Sequence, residues 1–143
     1  MSVRLIRSPR LSDVAEYAYS ATVDAPVRLV YTAGACPLDA NGETVAVGDY
    51  AGQARQVMAN LRTALSDAGA QLTDVLKTTV YVASPRQADL VAAWEVVRDF
   101  FGEHDAPSTL LGVAVLGYAN QLVEVEAVAA VPVAPDSGGI ALT

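Results

Sequence analysis

Apolar and polar positions alternate most clearly between Leu122 and Val131, with the period of two that a strand imposes on its faces. The odd positions, Val123, Val125, Ala127, Ala129 and Val131, are all apolar and require a helical layer over them. The even positions begin with Leu122, Glu124 and Glu126 and end with Val128 and Ala130. Two carboxylates therefore stand in a row, about 6.6 Å apart by the usual strand rise, on a face that soon turns apolar again. A freely solvated face stays polar, so this one is expected to be half wet, lining a pocket or a subunit interface. The plainer alternative is a pair of surface glutamates near the end of an edge strand.

Upstream, the same reading predicts a strand over Glu16 to Val23, a turn at Asp24-Ala25-Pro26, and a second strand over Val27 to Ala33, after an irregular first dozen residues. Asp39-Ala40-Asn41-Gly42 is a turn signal with Asn-Gly at its tip. Asp49 can cap a helix whose stripe is Ala54, Val57, Met58, Leu61, Ala64, Leu65 and Ala68, and Gly69 supplies a residue free to take positive φ at its end. Asp74 to Ala83 reads as a strand with Leu76, Val80 and Val82 on one face and Lys77, Thr79 and Tyr81 on the other. Ser84-Pro85-Arg86-Gln87 predicts a helix start with a serine cap and proline at the first helical position. That helix runs through Leu90, Val91, Trp94, Val97 and Phe101 to Gly102. A loop containing His104 and Pro107 precedes a strand over Thr109 to Leu116, a turn at Gly117 to Asn120, and the opening strand. The order places two helices on one face of a mixed sheet, a two-layer α+β domain over residues 1–132 with a C-terminal tail over 133–143 expected to be mobile.

Composition changes this picture in one respect. Charged residues are only 17% of the 143-residue chain, against a usual share of about 25%. A chain this short has a large surface to cover, and the shortfall suggests that the uncovered sheet face is hidden by further copies of the same chain. The net charge of -7 argues against nucleic acid, whose phosphates are held by clustered Lys and Arg. No N-terminal apolar run is long enough for a signal peptide and none reaches the ~18 residues of a membrane span, so a cytoplasmic protein with no membrane partner is expected. One cysteine, Cys36, and one histidine, His104, provide no credible metal site, and no metal or cofactor is expected. Cys36 is read as a small buried apolar residue and His104 as a surface residue.

Several stretches, Tyr19-Ser20-Ala21-Thr22-Val23, Ala33-Gly34-Ala35-Cys36-Pro37-Leu38-Asp39, Asp74 to Val82 and Leu122 to Ala129, together resemble the RidA (YjgF) family over roughly residues 16 to 131. The resemblance implies a homotrimer whose sheets form a central barrel, with pockets between subunits, and hydrolysis of reactive enamines and imines to keto acids and ammonia. Some members carry an endoribonuclease label, here a distant third reading. Carried over by residue, the family's motif tyrosine falls on Tyr19, its motif glycine on Gly34, and the glutamate that holds the attacking water on Glu124. Its pocket asparagine falls on Trp94. Its substrate-gripping arginine is missing: Ser108 stands there, or Thr109 if one inserted residue is allowed.

The missing arginine bears most on the ligand. A guanidinium holds a carboxylate through two parallel charge-assisted bonds that no hydroxyl reproduces, each worth about 1.5–3 kcal/mol. Arg86 and Arg98 sit on or near the second helix, facing outward. The expected ligand is therefore neutral, or larger and more apolar, with Trp94 as a flat wall; Trp94 as an ordinary core residue is the bland competitor. Ser108 and Thr109 are ligand contacts or plain turn residues after Pro107. Glu124 carries the chemistry if there is any, or else binds backbone amides at an interface, and Glu126 faces the same way and tunes it by like-charge repulsion. Two readings follow: a metal-free hydrolase or deaminase working through Glu124, and a non-catalytic trimer that binds a small metabolite in the same cleft.

Overall fold

The computed structural model describes residues 3–24 and 26–133. Asp49 opens the first helix, α1 (Tyr50–Asp67), by accepting the Gly52 N–H, which satisfies one of the donors left free at a helix start. Along α1, Ala54, Val57, Met58, Leu61 and Leu65 are fully buried. Each large side chain in that stripe is worth about 1.5–3 kcal/mol in burial. Gly69 ends the helix at φ +82°. Ala64 and Ala68, which extend the expected stripe, are exposed and half-buried, because α1 tilts away from the sheet over its last turn.

The stripe packs on a four-stranded sheet ordered β3 (Val27–Tyr31), β6 (Val123–Pro132), β4 (Val75–Ala83), β5 (Ser108–Val113). β6 is antiparallel to both neighbours and β4 is parallel to β5, so the sheet is mixed, with α2 (Gln87–Phe101) as the crossover between β4 and β5. α1 and α2 share one core with Val80, Val82, Val123, Val125, Ala127 and Ala129. Both helices therefore lie on the face presented by the odd positions of β6. Leu29, Tyr31 and Leu111 are exposed on the opposite, open face, beside Glu124 and Glu126.

Five expectations are corrected. The first dozen residues are not all irregular: β1 (Arg4–Ile6) pairs antiparallel with β2 (Ser20–Thr22) as a separate two-stranded sheet. The strand expected over Glu16 to Val23 is only β2, because Glu16 to Ala18 is drawn toward α2 instead: the Trp94 indole N–H donates to Glu16 and the Ala18 N–H to Asp105. In β4 the inward position near the start belongs to Val75, not Leu76, since a bulge between Val75 and Lys77 shifts the register by one. α2 begins at Gln87 with Arg86 as its cap. Ser84 sits further back, accepting the Arg86 N–H and donating to Asp89, and these bonds hold the Asp89 carboxyl below its ordinary range. Strand β5 ends at Val113, short of Leu116, and β3 ends at Tyr31, although Thr32 and Ala35 still bond to Ala127 and Val125 of β6. The expected turn residue Ala25 and tail residues 134–143 lie outside the described residues, while the Val133 N–H bonds to Pro26.

Candidate active site

Glu124 stands on β6 opposite Tyr81 of β4 and is half-buried. Its Oε1 accepts 3.0 Å from the Gln121 side-chain amide and 3.5 Å from the Cys36 thiol. A Cβ at Gly34 would lie 1.8 Å from its Oε2, so only glycine lets the chain pass this close. The segment 32–35 is laid along β6 by mutual bonds between Ala35 and Val125. Gly34 and Glu124, far apart in sequence, thus meet in one wall.

Gln121 was not foreseen as a site residue. It is 4% exposed and fully employed: its carbonyl accepts the Tyr118 N–H, and its amide donates to Val123 and Glu124. Behind it, Gln53 of α1 bonds to the Asn120 carbonyl and the Leu122 N–H, fixing the turn that leads into β6. The available signal was a polar residue at each of two otherwise apolar places, Gln53 inside the α1 stripe and Gln121 before the strand.

Burial pushes the Cys36 thiol up to about 11, with the charge of Glu124 adding to the effect. Cys36 therefore remains a neutral S–H donor at neutral pH and not a nucleophile. Glu126 is not simply a like-charged neighbour of Glu124, because the Tyr81 hydroxyl donates to it at 2.8 Å. That bond, with burial, raises the Tyr81 pKa above its ordinary value. His104 is half-buried, its Nε2 2.8 Å from the Val75 carbonyl, and serves the loop before β5 where a surface residue was expected.

The remaining expected residues gather elsewhere. Tyr17, Trp94, Ser108, Thr109 and Leu110 line a cavity of about 340 Å³ at the β5 edge. Trp94 is half-buried, edge-on to Tyr17 at 5.8 Å, and locked by its bond to Glu16, which Arg98 also grips at 2.9 Å. The indole donor and the guanidinium hold the Glu16 carboxyl below its usual range. Ser108 accepts from Thr78 at 2.7 Å and Thr109 from the Lys77 ammonium at 3.0 Å. Tyr19 touches the edge of Tyr17 but donates its hydroxyl to the Ser12 carbonyl; Tyr17 is the tyrosine that lines the cavity.

Within one chain the two groups do not meet. Ser108 pairs with Thr78 and Glu124 with Tyr81, three residues apart on β4 and on opposite sides of it. Standard strand spacings put their Cα atoms roughly 14 Å apart, and Ser108 shares the helix-side face with Thr78 while Glu124 shares the open face with Tyr81.

Residues 11–131 match the family model described as Endoribonuclease L-PSP. The chain belongs to that family, known also as RidA or YjgF. It is 34% identical over 101 residues to the 3-aminoacrylate deaminase RutC of Acinetobacter baylyi, covering 71% of this chain and 78% of that one. It is 28% identical over 116 residues to the human 2-iminobutanoate/2-iminopropanoate deaminase, covering 81% and 80%. The solved structure of a Rid-family protein of unknown function from Yersinia pestis superposes with a TM-score of 0.83 at 30% identity, covering 90% of this chain and 98% of that one. The expected α+β architecture with two helices over a mixed sheet is therefore the RidA fold. No helix among the described residues is long and apolar enough to cross a membrane.

Proposed function

We propose that this RidA-family chain is a metal-free hydrolase of imines or enamines, with Glu124 holding and deprotonating the attacking water. The observation that carries the reading is the Glu124 carboxylate, steered by Gln121 and Cys36 into the gap that Gly34 leaves open. One oxygen is committed to the two donors; the other faces Gly34 and is the one assigned to water. Chemically, Glu124 takes a proton as the water oxygen bonds to the imine carbon, and the C=N electron pair goes to nitrogen. The proton returns to nitrogen, the C–N bond breaks, and a carbonyl compound and ammonia leave. An enamine enters the same route after protonation on carbon.

The cleft in this proposal is shared between copies. The separation between Glu124 and the Trp94–Ser108 cavity within a chain, together with the exposed apolar face around Leu29, Tyr31 and Leu111, supports a trimer in which one subunit supplies Glu124 and its neighbour supplies Trp94, Ser108 and Thr109. Relatives named as deaminases of 3-aminoacrylate, 2-iminobutanoate and 2-iminopropanoate support the reaction class. No arginine lines this cavity, and Lys77 approaches Thr109 only from the open face. The preferred substrate is therefore less dependent on a carboxylate grip, with its apolar part against Trp94. The same missing grip favours the second reading, a trimer that binds a small metabolite without turning it over.

The test is to generate imines of amino acids in situ and follow release of the carbonyl product. Faster release from a bulky apolar imine than from that of alanine is expected. Absence of release from either supports the binding-only reading, and rates on the alanine imine equal to those of an arginine-bearing relative would show that another group holds the carboxylate.

A further inference from the structure

On the open face of the sheet, a second cavity of about 150 Å³ is lined by Tyr31, Thr32, Lys77, Thr79 and Glu126, with Ala127 and Val128 between them. Lys77 is the only lysine in the chain. Two of its N–H donors go to the Thr109 hydroxyl and the Thr78 carbonyl, neither of them charged, and it forms no ion pair among the described residues. Glu126, on the strand next to it, is held from the other side by the Tyr81 hydroxyl. Register places Glu126 beside Thr79, which in turn is beside Thr109. A cation and an anion thus share one small cavity, each drawn away from the other by its own neighbour, with the Thr79 side chain between them.

Opposite charges this close in a half-buried setting attract strongly, so a gap held open between them is suited to a ligand that carries both charges. We propose that this cavity binds a small zwitterion of the α-amino-acid type, its carboxylate on Lys77 and its ammonium on Glu126. The free third N–H of Lys77 completes the carboxylate contact, and Thr79 contributes a hydroxyl midway. A monovalent anion would lie against Glu126 and a monovalent cation against Lys77, so either alone is repelled at one end. Neither Lys77 nor Glu126 belongs to the catalytic cleft proposed above, and the inference stands apart from that reading.

Calorimetric titration of the purified protein with L-alanine, propionate and ethylamine tests it. Alanine is expected to bind, and each singly charged probe to bind at least about tenfold more weakly, since each forfeits one charge-assisted contact. Lys77→Met and Glu126→Gln should each weaken alanine by a similar factor, whereas Lys77→Arg, which keeps the charge, retains binding and guards against a folding artefact. No alanine binding, equal affinity for alanine and propionate, or unchanged alanine affinity in both charge-removing variants would overturn the proposal.

Discussion

Glu124→Gln is expected to lower turnover on any imine or enamine substrate by about 10²- to 10⁴-fold, the usual contribution of a positioned acid–base group. The substitution preserves length and leaves a carbonyl oxygen that can still accept from Gln121 and Cys36. What it removes is the ability to take a proton from water. Fold and oligomer mass should persist, because both donors remain satisfied and no buried polar atom is orphaned. A ligand-binding protein without catalysis would show only a modest change of affinity. A purely structural carboxylate at an interface would show dissociation of the oligomer. Turnover, affinity and sedimentation measured on this one variant separate the three, and no change in any of them would place the chemistry on the wrong face of β6.

The second large effect is expected from Gly34→Ala. The added methyl would lie 1.8 Å from Oε2 and 2.5 Å from Cδ of Glu124, well inside contact distance. The carboxylate must swing aside, breaking its bonds to Gln121 and Cys36, and a displacement of about 1 Å at a reacting group can cost on the order of 10²-fold in rate. A second readout follows from the thiol. Moving the Glu124 charge away removes one of the effects that raise the Cys36 pKa to about 11, so that pKa should fall. Faster alkylation of Cys36 at a fixed alkaline pH, together with the lost rate, is the expected result. A variant with unchanged rate and unchanged thiol reactivity would show that Glu124 is not held against residue 34.

Much of the architecture was legible where one physical signal dominated. The α1 stripe from Ala54 to Leu65, the Asp49 cap, the turn at Gly42 and the two faces of β6 follow from periodicity and backbone preference alone. The errors lie where distant partners compete with local pattern. Glu16 to Tyr19 has strand composition, yet the Trp94 indole and the Asp105 carbonyl draw it out of the ladder. Ser84 is a good cap residue, yet its hydroxyl is used by Arg86 and Asp89 two residues before the helix starts. The bulge that turns Val75 inward leaves no mark in an unbroken apolar run.

The candidate site divides in the same way. Glu124 and Gly34 could be nominated from the family motif, but their contact depends on segment 32–35 lying along β6. Gln121 and Gln53 were missed because a buried amide's value appears only when its partners are known. Tyr17, two residues from the nominated Tyr19, lines the Trp94 cavity because the short β2 begins later than the composition suggests. That Ser108 and Glu124 lie on opposite faces depends on strand order, which periodicity does not report.

The central claim is that one copy supplies Glu124 and another supplies the cavity at β5, and subunit mixing tests it most directly. Glu124→Gln is one inactive chain; Ser108→Trp, whose indole fills the cavity beside Trp94, is the other, each first checked for oligomer mass. Co-refolded in equal amounts, they should regain up to about a quarter of the wild-type imine-hydrolysing rate, the share of head-to-tail interfaces that pair two intact halves. Mixed oligomers that form but stay as inactive as either parent would contradict a shared site.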